Sequence, residues 1–521
     1  MTRSDAPPDP ATAHAWTALG GDPALLGNVA YRAVSGGLTA RLPVAELARA
    51  TVGVCSLAAA ELGARRSGGA VPEVRVDEGA VATAFVSERH LRIDGRKPTN
   101  FAPLSGFWRA ADGWVRTHAN YPHHRARLLA ALGLPGDSGP DELAAALAAR
   151  PARAIQETVY AGGGLAVAVA EPGGSEIPLG GLPLVESRRI GEGAPRPLPR
   201  PLPEAALPAS GVRVLDLTRV IAGPVATRTL ALLGADVLRI DSPGLPEDPD
   251  AHADTGFGKR SAALDLGAPE GRRTFETLLA DADVVVTGYR PGALDRFGLA
   301  PDALLERHPG LIVAQLCAWG WAGPWAGRRG FDSLVQAATG IAVVEAKAGA
   351  DADADADADG HPGVLPAQAL DHGTGYLLAA GVLRGLTERQ EVGGGGICGF
   401  RWRVRRRGFC AVSLPCAGMT APLTMRRPGW PRPGRAWEFC ATPAPRSLPR
   451  TDHWTGPVHL AAWAPTPRVG SELGQGRGGG QPARPSPLPR ASPPGPGGWG
   501  RAPVREGAGR GAARRRRYAT P

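Results

Sequence analysis

The chain has 521 residues, room for two or three domains, and an ordinary globular apolar content of 43%. Its net charge of +10 belongs to one end: residues 391–521 carry 22 Arg against 5 acidic residues, leaving a mildly acidic body that argues against a nucleic-acid partner. Only Cys55 and Cys317 precede residue 391, and no CxxC pair occurs, which speaks against a disulfide framework or a metal site. The N-terminus lacks a signal core and no 18-residue apolar run stands out, so the expectation is a cytoplasmic protein without a membrane span.

Residues 1–15 are rich in Pro, Ala and Asp and read as frayed. The stretch LPVAELARATVGVCSLAAAELGARR has helical apolar spacing. Residues 101–170 read as a small α/β unit: two short strands meet at Ala111-Asp112-Gly113, and a helix from YPHHRARLLAALGLP stops at Gly133 and Pro135. Residues 172–210 form a Pro-rich linker, so 1–171 stands as one segment.

A regular alternation follows. Strands are predicted over 212–217, 236–240, 284–286 and 311–316, with helices over 223–233, 270–280 and 301–307. The fold class is therefore α/β, a parallel sheet covered by helices in a Rossmann-like domain spanning 211–390, plus the small α/β domain. Residues 349–360, GADADADADADG, read as a solvated repeat rather than a cation site, because alternating Ala fixes no ligand geometry. Residues 391–521 lose all periodicity and read as a disordered Arg/Pro/Gly-rich tail, produced by a shift of reading frame inside a helix that was proceeding normally. The formal GxGxxG at Gly474, Gly476 and Gly479 has neither the strand nor the helix that motif needs.

Few residues carry candidate chemistry. Cys317 sits in an apolar strand context and reads as a buried structural thiol; His123 and His124 read as a solvated helix start. Asp371 precedes a Gly-x-Gly turn, Gly373 to Gly375. It reads either as the N-cap of the following helix or as a nucleophile, with glycine amides free to steady an oxyanion. His372 adjoins Asp371, but sequence neighbours rarely face each other, so a dyad is not expected.

The stretches RVLDLTRVIAGPVATRTLALLGADVLRID, GKRSAALDLGAPEGRRTFETLLADADVVV, YRPGALDRFGLAPDALLERHPGLI, GPWAGRRGFDSLVQAATG and LDHGTG, in this order and spacing, resemble the class III CoA-transferases. That resemblance covers about 205–390 and implies CoA transfer between an acyl-CoA and a carboxylic acid, with no permanent cofactor and CoA itself as the substrate moiety. It implies Asp371 as the nucleophile forming a mixed anhydride and then an aspartyl-CoA thioester. It places Leu264, Asp265 and Leu266 by the adenosine, Tyr289, Arg290 and Arg296 by the phosphates, and Arg329 and Phe331 by the pantetheine. Gly288 and Gly267 stand where relatives often carry Asn and Lys. The 2-methylacyl-CoA racemase branch uses a His before the residue equivalent to Asp332; here it is Phe331, which moves no proton, so racemisation is the weaker alternative. Residues 101–170 resemble the family's small domain, implying a fused tandem in which an interlaced homodimer is replaced by, or built from, an intramolecular pseudo-dimer. A degenerate, inactive member is the remaining alternative.

Overall fold

The structure, a computed structural model, describes residues 8–99, 101–175, 184–190, 194–198, 207–346 and 360–401. The tail beyond 401, with its GxGxxG, and the Asp/Ala repeat at 351–359 lie outside the described residues.

The first segment is better ordered at its start than its composition suggests. Pro10–Ala18 is a helix, because the Asp9 carboxylate accepts the Thr12 amide at 2.9 Å and Pro10 supplies a ready helical φ. Helix α1 (Val44–Ser67) ends at Gly68, whose φ of 76° closes the last turn. It is long and apolar enough to cross a membrane by length and composition, unlike the expectation, yet 67% of its apolar window is buried inside the protein. Strands β1 (Phe107–Ala110) and β2 (Gly113–Thr117) form the expected hairpin, pairing Ala110 with Gly113. Helix α2 (Pro122–Leu132) follows, and β3 (Ala166–Ala168) pairs antiparallel with β2. Leu128, Leu143, Leu147, Ile155 and Val159 fill the core of this unit.

Residues 172–210 are not a linker throughout: β4 (Val185–Ile190) lies within them. The second segment then runs β5 (Arg213–Leu217), α3 (Ala222–Leu232), β6 (Asp236–Asp241), β7 (Arg260–Ala263), α4 (Pro269–Ala280), β8 (Val284–Thr287), β9 (Ile312–Cys317), α5 (Asp332–Ala338) and α6 (Ala369–Val392), in which β7 and α5 are elements the sequence did not predict. One more strand, β10 (Gly395–Arg401), corrects the boundary expected at residue 391. Its glycines disguise it and are required by it. A Cβ at Gly395 would lie 2.4 Å from the Leu311 carbonyl oxygen, and one at Gly399 3.0 Å from Trp321 Nε1.

The large sheet runs β7–β6–β5–β8–β9–β10–β4. All pairs are parallel except β10 with β4, in register Gly395 to Ile190. Counting from β5, this is the order 3-2-1-4-5-6 of doubly wound nucleotide-binding sheets, with its reversal between β5 and β8. Helix α6 is buried along most of its length: α1 lies on one flank, α3 on another and β9 beneath.

Candidate active site

A cavity of about 680 Å³ opens where a doubly wound sheet places its ligands, beyond the carboxyl ends of the strands at the reversal. Leu217 ends β5, Ile240 and Asp241 end β6, Gly288 follows β8, and Leu316 and Cys317 end β9; all line it. All nine residues chosen from the sequence share that wall: Leu264, Asp265, Leu266, Tyr289, Arg290, Arg296, Arg329, Phe331 and Asp371. Cys317 is buried as expected and also faces this space. A further part of the lining was not legible from the sequence. It comes from α2 and the residue before it: Tyr121, His123, His124 and Arg127. His124 is 3% exposed, which corrects the solvated reading; the α2 start is covered by Phe331 and Tyr121.

Asp371 lies inside the first turn of α6, so it is not the helix cap. The capping carboxylate is Asp332, 39 residues earlier, whose Oδ2 accepts the Asp371 amide at 3.0 Å. Asp332 Oδ1 accepts from the Gln336 amide, and Gln336 Oε1 accepts the Leu365 amide at 3.0 Å. Two acidic groups are thereby held together out of water. Burial pushes the Asp371 carboxyl well above the usual carboxylate range, and the neighbouring Asp332 pushes it further. Burial also raises Asp332, against the Gln336 amide, the amides of Asp371 and Leu370, and the Arg116 guanidinium. Arg116 comes from β2, is itself pushed down to about 10 by burial, and stays cationic at neutral pH.

The glycines after Asp371 serve packing and lie within the helix, so their amides are not free oxyanion donors. A Cβ at Gly375 would stand 2.6 Å from the Ala222 carbonyl oxygen, and one at Gly373 3.4 Å from Leu47 of α1. They let α3 and α1 close on the turn that carries Asp371. His372 points away from the cavity: its ring stacks on Phe85 with centroids 5.2 Å apart, so no dyad forms.

The β5–α3 turn forms a second wall. Val220 has φ 70°, a strained value for a β-branched residue, and its amide is held by Glu247 Oε2 at 3.1 Å. Glu247 also accepts the Tyr121 hydroxyl and pairs with Arg219, whose guanidinium lies 5.0 Å from the Tyr121 ring centroid. Beneath the turn, Lys259 Nζ donates to Asp216 Oδ2 at 3.1 Å and to the Pro224 carbonyl at 2.9 Å; both side chains are buried. Asp216 further accepts from Thr218 and Thr227 hydroxyls at 2.5 and 2.6 Å. On the far side, the Arg329 carbonyl accepts from Trp319 Nε1 at 3.1 Å and Tyr160 hydroxyl at 3.0 Å, fixing the backbone that presents its side chain. Gly267 does not leave a gap where a Lys was expected: its amide donates to Asp265 Oδ1 at 2.8 Å and shapes the turn after β7.

The doubly wound sheet thus brings a buried carboxylate and several guanidinium groups onto one ligand-sized cavity. The family model described as CoA-transferase family III matches residues 209–400, through β10. Over 206 residues the chain is 34% identical to a probable fatty acyl-CoA transferase, Rv3272, of Mycobacterium tuberculosis, covering 37% of this chain and 50% of that protein. It is 34% identical over 197 residues to a formyl-CoA:oxalate CoA-transferase of Rhodopseudomonas palustris, covering 36% and 44%. The chain thus spans about half the length of the curated relatives it matches. The crystal structure of Rv3272 aligns with a TM-score of 0.31 and 33% identity, covering 37% of this chain and 54% of that one.

Proposed function

We propose that the protein moves CoA between an acyl-CoA thioester and a carboxylic acid, with Asp371 as the nucleophile. The observation that supports this most is the placement of Asp371: desolvated, on the wall of the cavity, its backbone clamped by Asp332 and its turn packed between α1 and α3. A carboxylate stripped of water is a stronger nucleophile than a hydrated one.

In the first step an Asp371 oxygen bonds the thioester carbonyl carbon, the C–S bond breaks, and CoA thiolate leaves. The thiolate then attacks the Asp371 carbonyl of the mixed anhydride, expelling the donor acid as a carboxylate and leaving an aspartyl-CoA thioester. The acceptor carboxylate attacks that thioester, again releasing CoA thiolate. Attack of the thiolate on the acceptor carbonyl frees Asp371 and completes the new acyl-CoA. No net proton or electron is consumed. Leu264, Asp265 and Leu266 would flank the adenosine, Tyr289, Arg290 and Arg296 the phosphates, and Arg329 and Phe331 the pantetheine.

The same reading makes residues 1–171 the closing part of a fused tandem. Its support is that α2 supplies one wall of the cavity and α1 lies against α6, so one chain holds both halves of a pseudo-dimer. Hydroxylamine trapping of an acyl-enzyme tests the assignment: wild-type protein given an acyl-CoA should yield a hydroxamate at Asp371, and Asp371→Ala should yield none. Full turnover by Asp371→Ala ends the assignment. Deuterium wash-in at C2 of the acyl group without an acceptor acid would instead indicate the racemase chemistry.

A further inference from the structure

The α2 wall has no part in the steps above, yet it holds the most exceptional polar group in the cavity. His124 is buried, and neither of its ring nitrogens has a hydrogen-bond partner among the described residues. A buried imidazole left unsatisfied is costly, and this one lines the cavity. Burial, followed by His123, His118, Arg329 and Arg127, pushes its pKa down to about 2, so it is neutral and offers one N–H.

Its position within the cavity can be read from its neighbours. The His124 and Phe331 ring centroids are 5.8 Å apart, and the residue after Phe331 is Asp332, which holds the Asp371 amide. His124 therefore stands at the reacting end, whereas Leu264 to Leu266 follow β7 at the sheet margin. Charge at this end comes from two guanidinium groups. Arg127, one turn along α2, and Arg329 both line the cavity, and neither is ion-paired with a carboxylate among the described residues. By contrast the neighbouring Arg328 is neutralised by Glu157 at 2.7 Å and covered by the Trp325 and Tyr160 rings.

We infer that α2 builds the acceptor subsite, in which His124 donates a hydrogen bond to the carboxylate of a short carboxylic acid and Arg127 and Arg329 meet its charge. This rests on the CoA-transfer reading. The acid must be short because the same cavity of about 680 Å³ also receives the pantetheine arm. A neutral donor flanked by guanidinium groups suits an acid that must bind as an anion and then be released from its charge as it attacks.

The test separates the two substrates kinetically. Acetate, oxalate, succinate and glutarate are offered as acceptors with acetyl-CoA and succinyl-CoA as donors, using the full chain. His124→Gln and Arg127→Ala are each expected to raise the acceptor KM about tenfold or more, with the donor KM moving much less. Arg127 is exposed on its helix, so its variant keeps the test open if His124→Gln folds poorly. An unmoved acceptor KM, a donor KM that rises equally, or refusal of all these acids overturns the proposal. Exchange of labelled CoA into acyl-CoA by wild-type protein without acceptor requires only Asp371 chemistry. Its absence refutes the CoA-transfer reading itself; its presence with an unmoved acceptor KM refutes the subsite alone.

Discussion

Asp371 sets chemistry against stability. Its carboxyl is held above the usual range by burial and by Asp332, so the folded protein binds that proton more tightly than the unfolded chain. Stability at this site is therefore complete at acid pH and declines as pH rises from the unfolded pKa through the raised folded one. Asp371→Asn removes that penalty. Its melting temperature is expected to exceed that of wild type at neutral pH, by a margin that shrinks on acidification, while turnover falls by at least about a thousandfold. A second expectation concerns Asp332, which faces Asp371 from α5, with Arg116 of β2 and Gln336 around it. Since the Asp332 charge raises Asp371, Asp332→Asn should shift the acid limb of the kcat/KM profile to lower pH. A purely structural role for Asp332 would lower activity without moving that limb. Neither partner was legible beforehand: the sequence singled out Asp371 through its family resemblance, but nothing in residue spacing says that a carboxylate 39 positions earlier caps its helix.

Elements place these residues, and the β5–α3 turn depends on one buried ion pair. Burial alone would raise Asp216, but Lys259 and the Thr218 and Thr227 hydroxyls outweigh it and hold its pKa below the ordinary value. That stabilisation is present above the unfolded pKa and is lost as pH falls through the folded one. Lys259→Met leaves Asp216 buried without its cation and is expected to cost about 3–5 kcal/mol at neutral pH, measured by urea denaturation, with a smaller deficit at acid pH where Asp216 can protonate. Strands β5, β6, β8 and β9 were legible because their apolar runs are buried on both faces of a parallel sheet. Strands β4 and β10 were not. The first carries the charged side chains of an edge strand inside a Pro-rich stretch, and the second needs glycines that erase the apolar signature.

At the scale of the whole molecule, the family match begins at residue 209, but the cavity does not. Residues 8–175 and 207–401 meet along α1 and α6, where the Glu61 carboxylate pairs with Arg384 at 2.5 Å and Leu47 packs on Gly373. They meet again where Tyr121 bonds Glu247, where Ser87 donates to Asp254 at 2.8 Å, and where Arg96 forks onto Asp250 with two contacts of 2.6 Å. Exposed ion pairs such as the last add little, but α1 buries fourteen residues, mostly apolar, and that burial is not recovered if the segments part. The covalent connection through 176–183 should therefore be dispensable once the chain has folded. A protease site inserted there and cut in the native protein is expected to leave two fragments that co-elute in gel filtration and separate only in denaturant. The nicked protein should keep its acceptor KM, because α2 and Asp371 would still line one cavity. Fragments that separate without denaturant would show that the two halves are joined by the chain and not by the core.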